Sequence, residues 1–244
     1  MPIITPDLRW MAKVQLTGQM VEVIEIFESV SREDLEALAK RLRWKRYGAD
    51  QQIISHLDES TDVFLVIEGM VRVTVYSPAG KEVTFRDIAA GEYFGELAAI
   101  DGLPRSATVT SLTDSLVASM SAEIFWEILR TYPDVAALVL KRLASSVRAL
   151  TERVFEFSAL AVRNRVHAEL LRLARDHMVS DNAAMIQPAP THADLASRIS
   201  THREAVTREL NQLSRDGLVE RQAGTLAIHD VERLARLVQN VVGH

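Results

Sequence analysis

Between Asp134 and Gln187 the chain contains neither proline nor glycine. Both residues break helices, so a run of this length without them favours helix over any strand-and-turn architecture. In its first half, Leu143, Val147, Leu150, Val154 and Phe157 recur every three to four residues, the spacing of a coiled-coil seam. The pattern predicts a helix from about Asp134 to Phe157. Two uses fit its apolar stripe: packing on its own domain, or packing on a second copy of the chain.

The region before this helix changes character twice. The chain up to Tyr47 reads as helical. EVIEIFESVSREDLEALAKRL has apolar residues at helical spacing, and Ser31 stands three before Asp34, close to a capping box. The pattern shifts at Trp44. VFLVIEGMVRVTVY, from Val63 to Tyr76, alternates β-branched residues around a Glu68-Gly69 break. SPAGKE is a turn signal, VTFRDI a further short strand, and SATVTSLTDSLVASMS two more. Many short strands separated by turns predict a small antiparallel barrel or roll. AEIFWEILRTYP then reads as an amphipathic helix stopped at Pro133.

After the long helix, MVSDNAAMIQPAP reads as a loop, and the chain from Pro190 onward gives helices and a hairpin around Gly224. PTHADLASRISTHREAVTRELNQLSRDGLVE carries two helix starts. Thr191 and Asp194 are spaced as an N-cap and its partner, and Thr201 and Glu204 repeat the spacing. Leu195, Ile199, Val206, Leu210 and Leu213 share a core, with Ser200-Thr201-His202 as a tight turn. This is a helix-turn-helix. Gly217 sits where a helix-terminating glycine belongs, and Leu218 to Ile228 forms a wing hairpin. In the second helix, Arg203, Glu204, Thr207 and Arg208 fall on the outer face near its N-terminal end, where a recognition helix meets base edges. Arginine can fork onto guanine O6 and N7, and glutamate can accept from cytosine N4.

Composition narrows the chemistry. There is no cysteine, which removes disulfides, thiolate nucleophiles, cysteine-ligated clusters and cysteine zinc sites. Only His56 among the histidines precedes Ala161, so neither haem ligation nor a histidine cluster on strands is supported. No HExxH or Ser/His/Asp spacing is present. Neither catalysis nor a metal is expected. MPIITPDLRWMAK lacks the apolar core of a signal peptide, and no stretch reaches 18 uninterrupted apolar residues. A cytoplasmic location without a membrane span is expected. The net charge is −5, divided unevenly: Ala161 to His244 holds 11 Arg and 10 acids, a balance of +1, against −6 for the chain before Ala161.

The stretch GEYFGELAAIDGLPRSATV, Gly91 to Val109, concentrates an acid, a base and a hydroxyl among glycines. Its glycines lie between strands with no βαβ unit around them, so a dinucleotide fold is not indicated. An arginine in a partly desolvated pocket is the favoured partner of a phosphodiester. This stretch, with the roll before it and the helix-turn-helix after the long helix, resembles the CRP/FNR family of bacterial transcription regulators. It is most like the cyclic-AMP-receptor branch, and the likeness covers nearly the whole chain in order.

The resemblance implies an α+β fold: a jelly-roll-like cyclic-nucleotide-binding β-roll over 1–132, a dimerisation helix over 133–160 and a winged helix-turn-helix over 161–244. It implies that Gly95 admits the ligand close to backbone, that Glu96 accepts from the ribose 2′-hydroxyl, and that Arg105 and Ser106 hold the cyclic phosphate. Leu97 and Ala107 would wall the pocket. Leu150 and Thr151 fall where the branch reads the base, partly across the dimer. The branch usually has two hydroxyl residues there; Leu150 replaces one, so cAMP is the expected effector and cGMP stays open. Arg203, Glu204 and Arg208 match the family's base-reading Arg-Glu-x-x-x-Arg, with Thr201, His202 and Thr207 beside them. The implied partners are double-stranded DNA with a TGTGA-like palindrome, a cyclic mononucleotide, a second copy of the chain and RNA polymerase, with no membrane. A nucleotide-independent regulator of the same type is the alternative.

Overall fold

The structure, a computed structural model, describes residues 17–76 and 82–242, and it resolves into two units. The first comprises residues up to 75 together with 86–144; the second comprises 76–85 and the chain from 145 onward. The SPAGKE turn lies largely outside the described residues.

The first unit opens with α1 (Gly18–Val21), a 3-10 turn (Glu25–Phe27) and α2 (Arg32–Ala39). Among the described residues the helical reading up to Tyr47 is met by these three short elements, and helix ends at Ala39, before the change of pattern read at Trp44. The Ser31 cap does form, its hydroxyl accepting from Asp34 N. β1 (Arg43–Tyr47) occupies the last residues read as helical and pairs antiparallel with β8 (Ser115–Met120), Arg43 opposite Ser119. In β1 only Trp44 and Tyr47 are buried, three positions apart, a spacing that a helix face would share.

β2 (Gln52–Ile54), β3 (Val63–Glu68), β4 (Met70–Tyr76), β5 (Glu82–Ala89), β6 (Tyr93–Phe94) and β7 (Thr108–Ser111) complete two four-stranded sheets, ordered β1-β8-β3-β6 and β2-β7-β4-β5. The short strands read from the sequence are thus present as a roll. One core cluster joins Leu35, Trp44, Leu65 and Leu116 to Phe125 of α4 (Ala122–Thr131); a smaller one gathers Tyr47, Ile54, Val66 and Val109. A short helix that the sequence did not announce, α3 (Glu96–Asp101), follows β6.

The long helix α5 runs Pro133–Ala159. Pro133 starts it because its fixed φ and missing N–H suit a first helical position. Val135 and Val139 are buried at its start. Further along, Leu140, Val147, Leu150, Val154 and Phe157 are exposed, three of them by more than 60%. With Leu143 they continue one 3-4 spaced stripe.

The second unit adds α6 (Val162–Arg175), β9 (Met178–Ser180), β10 (Ala183–Ile186), α7 (His192–Arg198), α8 (Arg203–Arg215), β11 (Val219–Gln222), β12 (Thr225–Ile228) and α9 (Val231–Val242). The segment expected as a loop at 178–190 instead supplies β9 and β10, which extend the wing into a sheet ordered β11-β12-β10-β9. Those strands are short; β10 pairs with its neighbour β9 and, beyond the helix-turn-helix, with β12, Ala184 opposite Ile228. Ser197 on α7 joins the 82–84 backbone to this unit, its hydroxyl donating to Glu82 O at 3.1 Å and accepting from Thr84 N at 3.1 Å.

A charge cluster lies inside this unit. Glu169 is 1% exposed, and Arg153, Arg172 and Arg198 converge on its carboxylate, Arg153 at 3.4 Å and Arg198 at 3.5 Å. Arg172 also reaches Glu156 at 2.8 Å, and Arg153 donates to Arg198 O at 3.1 Å. Helices α5, α6 and α7 are thereby joined through one acid. Removing one partner of a buried ion network leaves the others uncompensated, at about 3–5 kcal/mol. Glu169→Ala is therefore expected to destabilise the second unit by that amount. All three tryptophans precede Glu127. In a urea titration the far-UV CD transition should move to lower urea while tryptophan fluorescence, which follows the first unit, stays in place; an unchanged CD curve would show that the cluster adds no stability.

Candidate functional sites

Gly95 ends β6 in the left-handed region, φ +86, and serves as N-cap of α3. A Cβ there would lie 2.8 Å from Arg105 Nη1 and 2.9 Å from Asp62 O. Only glycine fits, and its carbonyl is used. Arg105 is 3% exposed; its Nη1 donates to Gly95 O at 2.9 Å, its Nη2 to Asp62 O at 2.7 Å and its Nε to Ser60 Oγ at 3.1 Å. Its backbone is pinned as well, Arg105 N donating to Asp58 O and Arg105 O accepting from Leu57 N. The Phe64 ring lies beneath the guanidinium at 5.5 Å. Burial lowers its pKa, opposed by Asp62, Asp58 and Glu96. A guanidinium has five N–H donors and does not deprotonate in a protein. Three donors are committed here, so two remain, on a buried and permanent cation beside Glu96.

The structure brings Gly95, Glu96 and Arg105 together. Glu96 is half-buried at the first position of α3, close enough to act on Arg105 electrostatically. Ser106 is exposed and Ala107 half-buried. Leu97, expected in a pocket wall, is 46% exposed. Leu150 and Thr151 belong to the second unit and are exposed on α5; the Thr151 hydroxyl donates back to Val147 O at 2.9 Å. Around Glu96 the fold also gathers Arg86, Glu92, Tyr93 and Arg142, a cluster that the sequence reading missed. The available signal was Arg86 at an inward position of an alternating strand.

The second unit presents the helix-turn-helix. Thr191 caps α7 in a full capping box with Asp194, as its spacing predicts. The box expected at Thr201 and Glu204 is absent: α8 begins one residue later, with His202 as N-cap and no side-chain cap. Ser200 takes φ +52 and Thr201 N donates to Ala196 O at 2.9 Å, so the turn itself uses the residue that would have capped. At the other end of α8, Gly217 N donates to Ser214 O and Leu218 N to Leu213 O, a Schellman stop with glycine at φ +69 and Leu218 buried.

Arg203, Glu204 and Arg208 are exposed on α8, with no hydrogen bond or ion pair to their side chains among the described residues. Thr207 differs from the expectation. It is half-buried, its hydroxyl lies 2.7 Å from His192 Nδ1 and donates to Arg203 O, so it ties α8 to α7. Burial, then Arg221 and Arg203, push the His192 pKa down. Beside the outer face of α8 lies an open groove of about 490 Å³ whose lining includes Arg163, Arg208 and Arg215. The wing is anchored by Arg221, which donates to Pro190 O at 3.0 Å. Among the described residues no group of histidines and acids could hold a metal, and no helix is long and apolar enough to cross a membrane.

Gly95→Ala places a β-carbon against Arg105 and forces a non-glycine residue into left-handed backbone, which alone costs about 1–2 kcal/mol. The expected outcome is a loss of at least that size in the first unit, read as a lower urea midpoint of tryptophan fluorescence. A midpoint equal to the parent's would mean that the close approach is relieved without cost.

Comparison with known proteins follows the same division. Residues 44–132 match the family model of the cyclic nucleotide-binding domain, and residues 164–237 that of the Crp-like helix-turn-helix domain. The chain is 24% identical to the CRP-like cAMP-activated global transcriptional regulator of Mycobacterium tuberculosis over 212 residues, 86% of this chain and 95% of that one. It is 27% identical to the cyclic AMP receptor protein of Thermus thermophilus over 216 residues, covering 87% and 95%. Among solved structures, a CooA mutant from Carboxydothermus hydrogenoformans superposes with a TM-score of 0.76 at 21% identity, covering 88% and 95%. With both domain models matched in this order, and relatives aligned over nearly their whole length, the chain belongs to the CRP/FNR family of cyclic-nucleotide-binding, helix-turn-helix transcription regulators.

Proposed function

We propose that this protein is a homodimeric, effector-controlled regulator that acts in the cytoplasm on a TGTGA-like palindrome. The observation that carries the effector half is Arg105, a buried cation with two unused donors on a glycine that admits nothing larger. In this reading residues 1–132 bind a cyclic mononucleotide, with its phosphate on Arg105 and Ser106 and its ribose on Glu96. Residues 133–160 dimerise through the stripe Leu140, Leu143, Val147, Leu150, Val154 and Phe157. Exposed apolar side chains at heptad spacing on one helix are what a coiled-coil partner covers. Residues 161–244 bind DNA, Arg203, Glu204 and Arg208 reading bases from α8, and RNA polymerase is the downstream partner.

The effector is a cyclic mononucleotide: cAMP is supported by the cassette's likeness and by the names of the two relatives, and cGMP by Leu150, which offers no hydrogen bond where the branch usually has a hydroxyl. In either case the effector shifts the relative placement of the two recognition helices in the dimer. A full shift between two states requires about 5.5 kcal/mol of differential binding, which two sites would share.

Two variants and one assay test this. Fluorescence anisotropy of a duplex carrying TGTGA and its inverted copy, at fixed salt, should report tight binding only with one nucleotide; equal binding without nucleotide would remove effector control. Arg105→Ala should weaken that nucleotide more than tenfold, since truncating a buried charge partner costs about 2–5 kcal/mol. Arg203→Ala should cost about 1–3 kcal/mol on the palindrome and little on unrelated duplex. A uniform loss on both duplexes would make Arg203 a phosphate contact.

A further inference from the structure

Arg86 stands on β5 between Thr84 and Ile88, which share its face of the strand and are buried. It is half-buried itself. Among the described residues its guanidinium has neither a hydrogen bond nor an ion pair. The acids that act on it form no hydrogen bond or ion pair with it. Arg142 bonds Glu92 Oε1 at 2.7 Å and Tyr93 O at 3.3 Å, with its guanidinium over the Tyr93 ring at 4.4 Å. The second Glu92 oxygen accepts from Ala89 N at 2.9 Å. Glu96 and Glu92 act on Arg86 only through space. Next to it the Tyr93 hydroxyl is buried without a partner among the described residues, in a residue 1% exposed. Burial pushes the Tyr93 pKa up to about 12, so this hydroxyl keeps its proton. One corner of the roll thus holds five guanidinium donors and one phenolic donor with nothing among the described residues to receive them. Native interiors rarely leave a buried donor such as the Tyr93 hydroxyl unmatched; the Arg86 nitrogens, in a half-buried residue, reach solvent and are open to a ligand.

The Glu96 carboxylate acts electrostatically on both Arg105 and Arg86. If the phosphate lies on Arg105 and the ribose on Glu96, the base is the part of the ligand left for Arg86. We propose that Arg86 reads the base of the bound cyclic nucleotide and favours guanine. The inference rests on the reading of the cassette as the nucleotide site. Its chemistry is that of the guanidinium fork. Guanine presents two acceptors side by side, O6 and N7, which match two parallel N–H donors. Adenine presents N7 beside the N6 amino group, which sets donor against donor. The discrimination expected from one good bidentate pair is about 10- to 100-fold.

The test is calorimetric titration of the full-length protein with cGMP, cAMP and cyclic inosine monophosphate, which keeps O6 and N7 but lacks the 2-amino group. The parent should bind cGMP about 10- to 100-fold more tightly than cAMP, and cyclic inosine monophosphate nearly as tightly as cGMP. Arg86→Gln should erase or invert the cGMP-to-cAMP ratio, because a glutamine amide pairs with adenine N6 and N7. Arg86→Lys, which keeps the charge without the fork, should lower the same ratio. Arg105→Ala should weaken all three ligands and leave the ratio alone. A parent that prefers cAMP overturns the proposal, as does a ratio unchanged in both Arg86 variants. So does cyclic inosine monophosphate binding as weakly as cAMP, since recognition would then run through the 2-amino group. Failure of the parent to bind any of the three at millimolar concentration would instead overturn the nucleotide reading of the cassette, and this proposal with it.

Discussion

The guanidinium of Arg105 is the interaction on which the first unit's chemistry depends. It is buried, yet two of its three committed bonds are to backbone carbonyls, Gly95 O and Asp62 O, which cannot neutralise it. Those bonds fasten the turn after β6 to the chain before β3, and Arg105's own backbone adds Leu57 and Asp58. A cation held in this way is rigid and incompletely compensated. In the proposed reading that combination supplies affinity for an anion, because the donors are ordered before the anion arrives. The glycine at 95 is a consequence, since the guanidinium occupies the space where a Cβ would stand.

The second unit has a comparable centre of opposite sign. Glu169 gathers three arginines from three helices, and the recognition helix is then fixed by smaller links: Thr207 to His192, the stop at Gly217, and His167, 1% exposed, against Glu209 at 2.6 Å. These links consume polar groups on the inner side of α8 and leave Arg203, Glu204 and Arg208 unpaired on its outer side, among the described residues. The division matters because a side chain already paired within the protein would have to break that pair to meet a base.

The places where the sequence misled have physical reasons. Trp44 and Tyr47 are three apart, and β1 has no partner until β8, at the far end of the roll, so nothing local distinguishes it from a helix. β9 and β10 are too short to show a period, and β10 is held on its other side by β12, distant in sequence. Thr201 had the spacing of a cap, but the left-handed Ser200 moved the start of α8 by one residue. In each case a long-range pairing or a backbone turn overrode a sound local signal.

What the sequence determined by itself was whatever is written in short spacings: the alternating strands of the roll, the 3-4 stripe of α5, the Thr191 capping box, the Gly217 stop and the Gly95-Glu96 and Arg105-Ser106 pairs. These depend on neighbours within a few residues, and the backbone periods of helix and strand make them legible. Tertiary structure alone decided which polar groups are satisfied. Arg105, Arg142, Glu169 and Thr207 meet partners that are distant in sequence, at least in part, while Arg86 and the Tyr93 hydroxyl meet none among the described residues. Hydrogen bonding is short-ranged and directional, so whether a buried donor is matched depends on positions fixed to a fraction of an ångström, which a linear pattern does not encode.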